Sequence, residues 1–466
     1  MSPRLRVCHL GKYYPPAAGG IETHVQTLAR AQADLGAHVR VVCVDHLDGG
    51  GERQAGRRMG TLNLWSESDG PVRVTRVVRR ASFNRLDICP DLPETLRMLE
   101  HEKLDILHLH TPNPTMLLAL ALVRPRIPLV ITHHSDVIRQ KLLKLALRPF
   151  ERFVYGRAAR IQTTPPVYRH QSRFLARYDG RIEVLPLGVD CLPFSEPKTS
   201  VRQRARQLEL RHGKPLWLAV GRLVYYKALH IALHALREIP GTLVVIGTGP
   251  LQEDLRDLAR RLGVAHRVCW QGYLSREELA AHYRAATALW FPSNTRSEAF
   301  GLVQVEAMAS GCPVINARIS GSGVPWVSLH EETGLTIPVD DPAALAQAAR
   351  RLLDEPGLRD RLAWAAYRRA RREFDHRTMA LRSLAIYRRA LRGEPAPTDA
   401  IPDAWGAQAY GPTVQDLVDK LSSPAMPAMN LDTDRPNTQE AQALLHGADF
   451  PDASLAPLLR EPLRRD

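Results

Sequence analysis

The chain has 466 residues, 44% hydrophobic and 24% charged, with a formal net charge of +14. That is too long for one ordinary domain and has the composition of a globular protein in water. No apolar run approaches the ~20 residues that cross a bilayer as a helix, and the start "MSPRLRVCHLGKYYPP" has no export pattern, so a cytoplasmic protein is expected. The charge is uneven. Residues 393–466 carry 5 Lys/Arg against 12 Asp/Glu, a net of −7, and the remainder is net +21. A basic body suits nucleic acid, an anionic lipid surface or a phosphorylated substrate. A basic nucleic-acid-binding protein is disfavoured, because no interleaved aromatics, recognised module or base-reading basic helix accompanies the charge. Six scattered cysteines, none in a C-x-x-C pair or at zinc spacing to histidine, read as reduced thiols.

The first strand signal is "LRVCHLG". A glycine turn follows, then a helical pattern with Ile21, Val25, Leu28, Ala29 and Leu35 on one face closing at Gly36, then a strand "VRVVCVDH". Strand, turn, helix, strand is a βαβ unit and implies a parallel sheet. The pattern recurs with strand "LDILHLHTP", helix "TMLLALALV", and strands "PLVITHHSD", "ARIQTTP" and "IEVLPLGVD". Residues 139–160 are rich in Lys/Arg with Leu, Phe and Val at helical spacing, which fits either an interfacial helix on anionic lipid or a solvated helix covering the sheet.

A polar, proline-marked hinge at 191–200 separates a second series. Strands "LWLAVGRL", "GTLVVIGTGP", "VCWQGYL", "ALWFPS" and "PVINA" alternate with helices "KALHIALHALREI", "LQEDLRDLARRLGV", "SREELAAHYRAA" and "GLVQVEAMASG", and another helix begins at Pro342. The expected domains are 1–190 and 201–375, each a doubly wound Rossmann-like α/β sheet, with a helix over 376–392 that packs back on the first. Ligands of such sheets bind beyond the carboxyl ends of the strands, so the two sheets are expected to face each other across a ligand cleft. Residues 393–466 hold 10 of the 35 prolines and read as a low-complexity, disordered tail.

Three constellations carry chemistry. Gly19 and Gly20 open the first helix, where backbone can approach a ligand and free N–H groups favour a pyrophosphate; taken alone, the pair reads first as a simple tight turn. Arg222 and Lys227 in "VGRLVYYK" directly follow a strand, and two fixed cations suit a departing diphosphate. In "RSEAFGLVQVEAMASG" Glu298 stands at a helix mouth and Glu306 inside the helix. The N–H groups of Phe300, Gly301, Leu302 and Val303 are that helix's unpaired donors, and an ionised carboxylate can hold vicinal hydroxyls.

With "GGIE", "LPLGVD", "VGRL", "IGTGP", "EAFGLVQVE" and "EAMASGCPVI" in this order, the chain resembles the family 4 retaining glycosyltransferases of the GT-B fold, over about residues 4–392. The resemblance implies that Glu306 binds the nucleotide ribose and that Arg222 and Lys227 hold the diphosphate. It places Glu298 with the Phe300–Val303 amides beside the transferred sugar and phosphates, and Gly19 and Gly20 against the same phosphates from the other domain. His134, matched through "HSD" in "ITHHSD", is the family histidine. Two departures stand out: Ala228 follows Lys227 where glycine is usual, and the 74-residue tail is outside the likeness.

The implied reaction is front-face transfer with retention, the diphosphate oxygen taking the acceptor's proton. No cofactor and no metal is implied, since the cations neutralise the leaving group and no D-x-D clamp occurs in the two α/β domains. The implied donor is a nucleotide diphosphate sugar, GDP-mannose before UDP-hexose. The implied acceptor is a glycan, polyprenyl-linked, in surface polysaccharide or lipopolysaccharide assembly, with peripheral contact to the inner face of an anionic membrane. A sugar-nucleotide epimerase or a phosphorylase of the same fold is the alternative.

Overall fold

The computed structural model describes residues 4–17, 19–45, 57–58, 62–83, 86–134, 141–167, 169, 172 and 174–397. Of the expected tail, residues 398–466 lie outside that set, as do Arg139 and Gln140 at the head of the basic stretch. The chain divides into two compact units. One runs to Gly188 and resumes at His376; the other spans Val189–Asp375. Residues 191–200, expected as a hinge, fold into the second unit as helix Leu192–Ser195 and the start of helix Thr199–His212, with Phe194 1% exposed.

The first unit is built on a nine-stranded sheet. Its strands in chain order are β1 Arg6–Leu10, β2 His38–Asp45, β3 Arg57–Arg58, β4 Leu64–Asp69 and β5 Val72–Val78, followed after a two-stranded hairpin (β6 Ala81–Phe83, β7 Leu86–Ile88) by β8 Ile106–Thr111, β9 Leu129–His133, β10 Ala158–Thr163 and β11 Ile182–Val184. The spatial order is β11-β10-β9-β8-β1-β2-β5-β4-β3. Every residue of β8 and β9 is buried, as expected of central parallel strands covered on both faces. Helix Gly20–Asp34 buries Val25, Leu28 and Ala29 on one side of the sheet. Helix His376–Leu391 belongs to this unit, where Met379, Ala380 and Ile386 cluster with Leu28, Ala31 and Leu185.

Periodicity placed no strand between residues 47 and 103, yet five described strands lie there. β4 pairs antiparallel with β3 and β5, so this sheet is mixed at one edge. The signal was present: Asp69-Gly70 joins two paired runs, with Asp69 opposite Val72 and Gly70 at φ +58°, as a short hairpin turn requires.

The second unit has six parallel strands, β12 Leu216–Val220, β13 Thr242–Ile246, β14 Val268–Gln271, β15 Ala288–Phe291, β16 Val314–Ala317 and β17 Gly334–Ile337, in the order β14-β13-β12-β15-β16-β17. The chain winds outward from β12 through β13 and β14, then starts again at β15 on the other side. The boundary between β12 and β15 is therefore this sheet's topological switch point, where open α/β sheets bind ligands. In the first unit the corresponding boundary is β1 and β8.

Candidate functional site

The segments leaving β12 and β15 meet at the switch point of the second sheet. After β12, Gly221 lies at φ +143° and Gly247, after β13, at φ +129°. A Cβ on Gly247 would stand 2.1 Å from the Gly221 carbonyl oxygen, and one on Gly249 would stand 2.5 Å from that of Leu223. "VGRL" and "IGTGP" are thus two faces of one close backbone contact. Gly221 N–H donates to Ile246 O at 2.9 Å and Leu223 N–H to Thr248 O at 2.9 Å. The zipped loops fix the short 3-10 turn Tyr225–Lys227 that carries the lysine. Ala228, closing the turn, is held at φ +48°, a left-handed position that favours glycine.

Lys227 reaches the β15 side, its Nζ 2.6 Å from Glu298 Oε2, and rides 4.6 Å from the centre of the Phe291 ring. Ser293 Oγ donates to the same Glu298 oxygen at 3.2 Å. Phe291 also explains a glycine. At Gly301, φ is +78° and a Cβ would lie 2.7 Å from Phe291 Cζ, so only glycine lets helix Leu302–Ala309 begin there. Gln304 reaches back to accept nothing from that end but to donate, its Nε2 2.9 Å from Phe300 O, while Asn316 Nδ2 donates to Gln304 Oε1 at 3.0 Å. Those two amides tie the helix mouth to β16.

The helix starts at Leu302 with Gly301 as its N-cap, so the N–H groups of Leu302 and Val303 open its first turn without intrahelical acceptors. Phe300 turns its ring into the core, edge-on to Phe374 at 5.6 Å, and offers the site only backbone. Glu306 is in the second turn, and Tyr283 OH donates to its Oε2 at 3.0 Å. Burial pushes the Glu306 carboxyl up to about 7, against the lowering effects of Tyr283 and Arg276. Tyr283 is itself pushed well above the usual phenol range, by burial first and the Glu306 charge second. Arg222 is exposed, its Nη2 3.5 Å from Tyr226 OH.

Lys227 and Glu298, 71 residues apart, are therefore in direct contact, with the helix mouth of Gly301–Val303 packed on the same Phe291 ring. Glu306 is held separately, by Tyr283. Gly19, Gly20 and His134 belong to the first unit. Gly19 is the extended N-cap of helix Gly20–Asp34, at φ 173°, which any residue adopts; a Cβ there would meet Glu22 Oε2 at 2.1 Å, whereas one at Gly20 would meet nothing within 4 Å. His134 follows β9 and is 5% exposed. Its Nε2 is 3.2 Å from His110 Nδ1. Burial holds the imidazoles of His9, His24, His108, His110 and His134 below their usual range, so all five are neutral near pH 7.

Sequence reasoning passed over Tyr283, Ser293 and Phe291, which have no motif of their own and act only by where the fold delivers them. It also passed over His9, His24, His108 and His110. There a signal existed, since His108 and His110 alternate on one face of a strand otherwise apolar.

Two α/β units, one on a parallel sheet and one on a largely parallel sheet, each with side chains gathered at its switch point, make up the architecture of the GT-B class. Residues 18–191 match the family described as Glycosyltransferase Family 4, and residues 201–369 match that described as glycosyl transferases group 1. The D-rhamnosyltransferase WbpZ of Pseudomonas aeruginosa is 37% identical over 253 residues, 54% of this chain and 65% of that protein, so this match spans just under two thirds of the relative's length. The O-antigen chain mannosyltransferase C of Escherichia coli is 28% identical over 75% of this chain and 88% of the relative. A D-inositol 3-phosphate glycosyltransferase of Xylanimonas cellulosilytica is 30% identical over 81% of this chain and 94% of its own. Among solved structures, the sucrose-phosphate synthase of Thermosynechococcus elongatus superposes with a TM-score of 0.66 at 24% identity, covering 84% of this chain and all (100%) of that one. The chain belongs to the family 4 glycosyltransferases of the GT-B fold.

Proposed function

We propose that this protein transfers a hexose, mannose in the first instance, from a nucleotide diphosphate sugar to a lipid-linked glycan in surface-polysaccharide or lipopolysaccharide assembly, with retention of anomeric configuration. The observation that carries the reading is the Lys227–Glu298 pair beside the mouth of helix Leu302–Ala309. A cation and unpaired N–H groups at one switch point suit a diphosphate, and a carboxylate beside them suits sugar hydroxyls. Glu306, one turn deeper and tied to Tyr283, is assigned to the ribose. Arg222, exposed and with its Nη2 3.5 Å from Tyr226 OH, is assigned with Lys227 to the leaving group. The names of the rhamnosyl and mannosyl relatives support transfer of a deoxyhexose or mannose, and GDP-mannose is assigned as the donor in preference to a UDP-hexose.

In this mechanism the acceptor hydroxyl attacks from the side the diphosphate leaves, and the departing phosphate oxygen takes its proton. The protein contributes position and charge stabilisation rather than a nucleophile. Lys227, Arg222 and the helix N–H groups oppose the charge that grows on the β-phosphate. Among the described residues no helix is long and apolar enough to cross a membrane. Peripheral docking through helix Lys141–Gly156 is supported by Leu145, Phe150 and Phe153, which are 66%, 45% and 39% exposed, beside the exposed Arg148 and Arg152. Such a mixture of apolar and basic side chains suits an anionic interface.

Purified protein incubated with GDP-mannose, GDP-rhamnose, UDP-glucose and UDP-galactose in turn tests the reading, with release of nucleoside diphosphate and the anomeric configuration of the product followed by NMR. Transfer, or slow donor hydrolysis, with one GDP-sugar and an α-linked product is the expected result. Free epimer as product would instead establish the epimerase, and sugar 1-phosphate formed from a glycan and inorganic phosphate in a parallel incubation would establish the phosphorylase.

A further inference from the structure

We propose that His24, His110 and His134 form a binding site for one divalent transition-metal ion of the zinc class, contained wholly in the first unit. A ring nitrogen of each lies within 4.8 Å of a ring nitrogen of the other two, and all three side chains are buried. His24 projects from helix Gly20–Asp34, His110 from β8, and His134 from the end of β9. The site rests on no assumption about the transferred sugar.

The surrounding hydrogen bonds fix which nitrogens are available. Ser383 Oγ donates to Ala380 O at 2.7 Å, so towards Gln32 Nε2, 2.7 Å away, it accepts. That orients the Gln32 amide and puts its Oε1 2.8 Å from His9 Nε2. His9 must therefore carry its proton on Nε2 and accept at Nδ1, which lies 3.0 Å from His110 Nε2. His110 in turn carries its proton on Nε2 and accepts at Nδ1 from His134 Nε2, 3.2 Å away, and that Nδ1 lone pair is the one a metal would take. This is the arrangement that orients metal-binding imidazoles, in which the second ring N–H is held by an outer partner.

A second set of three, His9, His108 and His110, is equally close but is already spent. His108 Nε2 donates to Thr132 Oγ1 at 2.6 Å, because Thr132 donates onward to Gln162 Oε1 at 2.9 Å. His108 Nδ1 then accepts from Tyr387 OH at 2.6 Å. An ion bound there would displace the partners that hold both nitrogens of His9 and both of His108, whereas at the first set it displaces only the contact between His110 and His134, which are themselves ligands. His24 is the opposite case. It is 2% exposed, and neither ring nitrogen has a hydrogen-bond partner among the described residues. A buried polar group without a partner is destabilising, and a metal bond removes that penalty.

The spacing also fits. His110 Nδ1 and His134 Nε2 are 3.2 Å apart, and two nitrogens bound tetrahedrally at about 2.0–2.1 Å from zinc stand about 3.3 Å apart. His24 has to close by no more than about 1.5 Å, a side-chain rotation. When the ion enters, His134 moves its proton from Nε2 to Nδ1, so that Nδ1–H remains available as a donor. Three neutral imidazoles leave the fourth tetrahedral position to water, and this ligand set suits zinc or cobalt over magnesium or calcium.

The test uses the full chain without a polyhistidine tag, stripped with EDTA and titrated with Co²⁺ alone and then with Zn²⁺. One equivalent of Co²⁺ is expected to give visible d–d bands of a four-coordinate ion, displaced by one equivalent of Zn²⁺. His24→Ala should weaken binding at least a hundredfold, and Gln32→Leu, which spares the ligands but unties His9, about tenfold. X-ray absorption of the zinc-loaded wild type should show three imidazoles, a readout independent of whether the variants fold. No saturable one-to-one binding, fewer than three imidazoles, or unchanged affinity in a folded His24→Ala protein overturns the site.

Discussion

Lys227 Nζ stands 2.6 Å from Glu298 Oε2, with the two side chains only 12% and 11% exposed. The lysine assigned to the diphosphate is therefore paired with the carboxylate assigned to the sugar. A donor must share or displace that pair. Lys227→Met is expected to lower kcat about a hundredfold, the ~3 kcal/mol of one lost charge-stabilising donor. It should also destabilise the second unit, because Glu298 keeps only the Ser293 hydroxyl. Combining it with Glu298→Gln should restore much of the stability and none of the activity. Thermal unfolding and donor kinetics of the two single variants and the double variant measure both; simple additivity in stability would show the pair to be uncoupled.

The raised Glu306 carboxyl gives a pH signature. Pushed up to about 7 by burial, it keeps its proton below that pH in the free protein. Ribose hydroxyls donating to the carboxylate favour the charged form and draw the pKa down, so donor binding releases a proton and weakens as pH falls below 7. Titration calorimetry in buffers of different ionisation enthalpy should detect that proton in wild type and not in Glu306→Gln, whose donor KM should rise. The linked stability effect has the opposite sense. A folded carboxyl that holds its proton more tightly than the unfolded one contributes stability that is lost as pH rises from about 4.5 to about 7.

Gly301→Ala is expected to destabilise the second unit by about 2–4 kcal/mol. Left-handed backbone at φ +78° disfavours any side chain by about 1–2 kcal/mol, and the new methyl would meet Phe291 Cζ at 2.7 Å, adding the strain of overpacking. Ala228→Gly runs the other way, relieving left-handed strain at φ +48° against the greater freedom of glycine in the unfolded chain; it should fall within about 1 kcal/mol of wild type. Chemical denaturation of both variants provides the comparison.

For the membrane, Arg148→Glu with Arg152→Glu should weaken binding to anionic vesicles at least tenfold at 0.1 M salt, since each basic residue near the surface contributes about 1 kcal/mol. The difference should shrink at 1 M salt, where the Debye length falls from about 10 Å to about 3 Å. Donor hydrolysis without acceptor should be unchanged, because Lys227, Glu298 and Glu306 lie in the other unit. Equal co-sedimentation of wild type and variant would leave Lys141–Gly156 as an ordinary solvated helix.

What could be read locally was read from residues that are neighbours in the chain. The βαβ units showed as short apolar runs alternating with amphipathic spacing. Arg222 and Lys227 could be put at a strand's carboxyl end because they directly follow "LWLAV", and Glu298 and Glu306 bracket one helix start. The Asp69-Gly70 hairpin was equally local, and β5 carried an apolar alternation with Val72, Val74 and Val77 buried, but its partner β4, nearer the sheet edge, is buried at Leu64 alone, so hydrophobic periodicity did not mark the pair.

Everything that depended on strand order was beyond the sequence. Parallel strands pair across intervening helices, so no local pattern states which two lie side by side. That order makes β12 and β15 neighbours and brings Lys227 to Glu298 across 71 residues. It likewise sets β1 beside β8 and β8 beside β9, and helix His376–Leu391 then brings Ser383 to Gln32, 351 residues away. Residue types fixed what chemistry was available: two carboxylates, two cations and a set of histidines. Only the tertiary packing decided which of them are charged, which are neutral and which face one another, because burial and hydrogen-bond partners are set by non-local contacts.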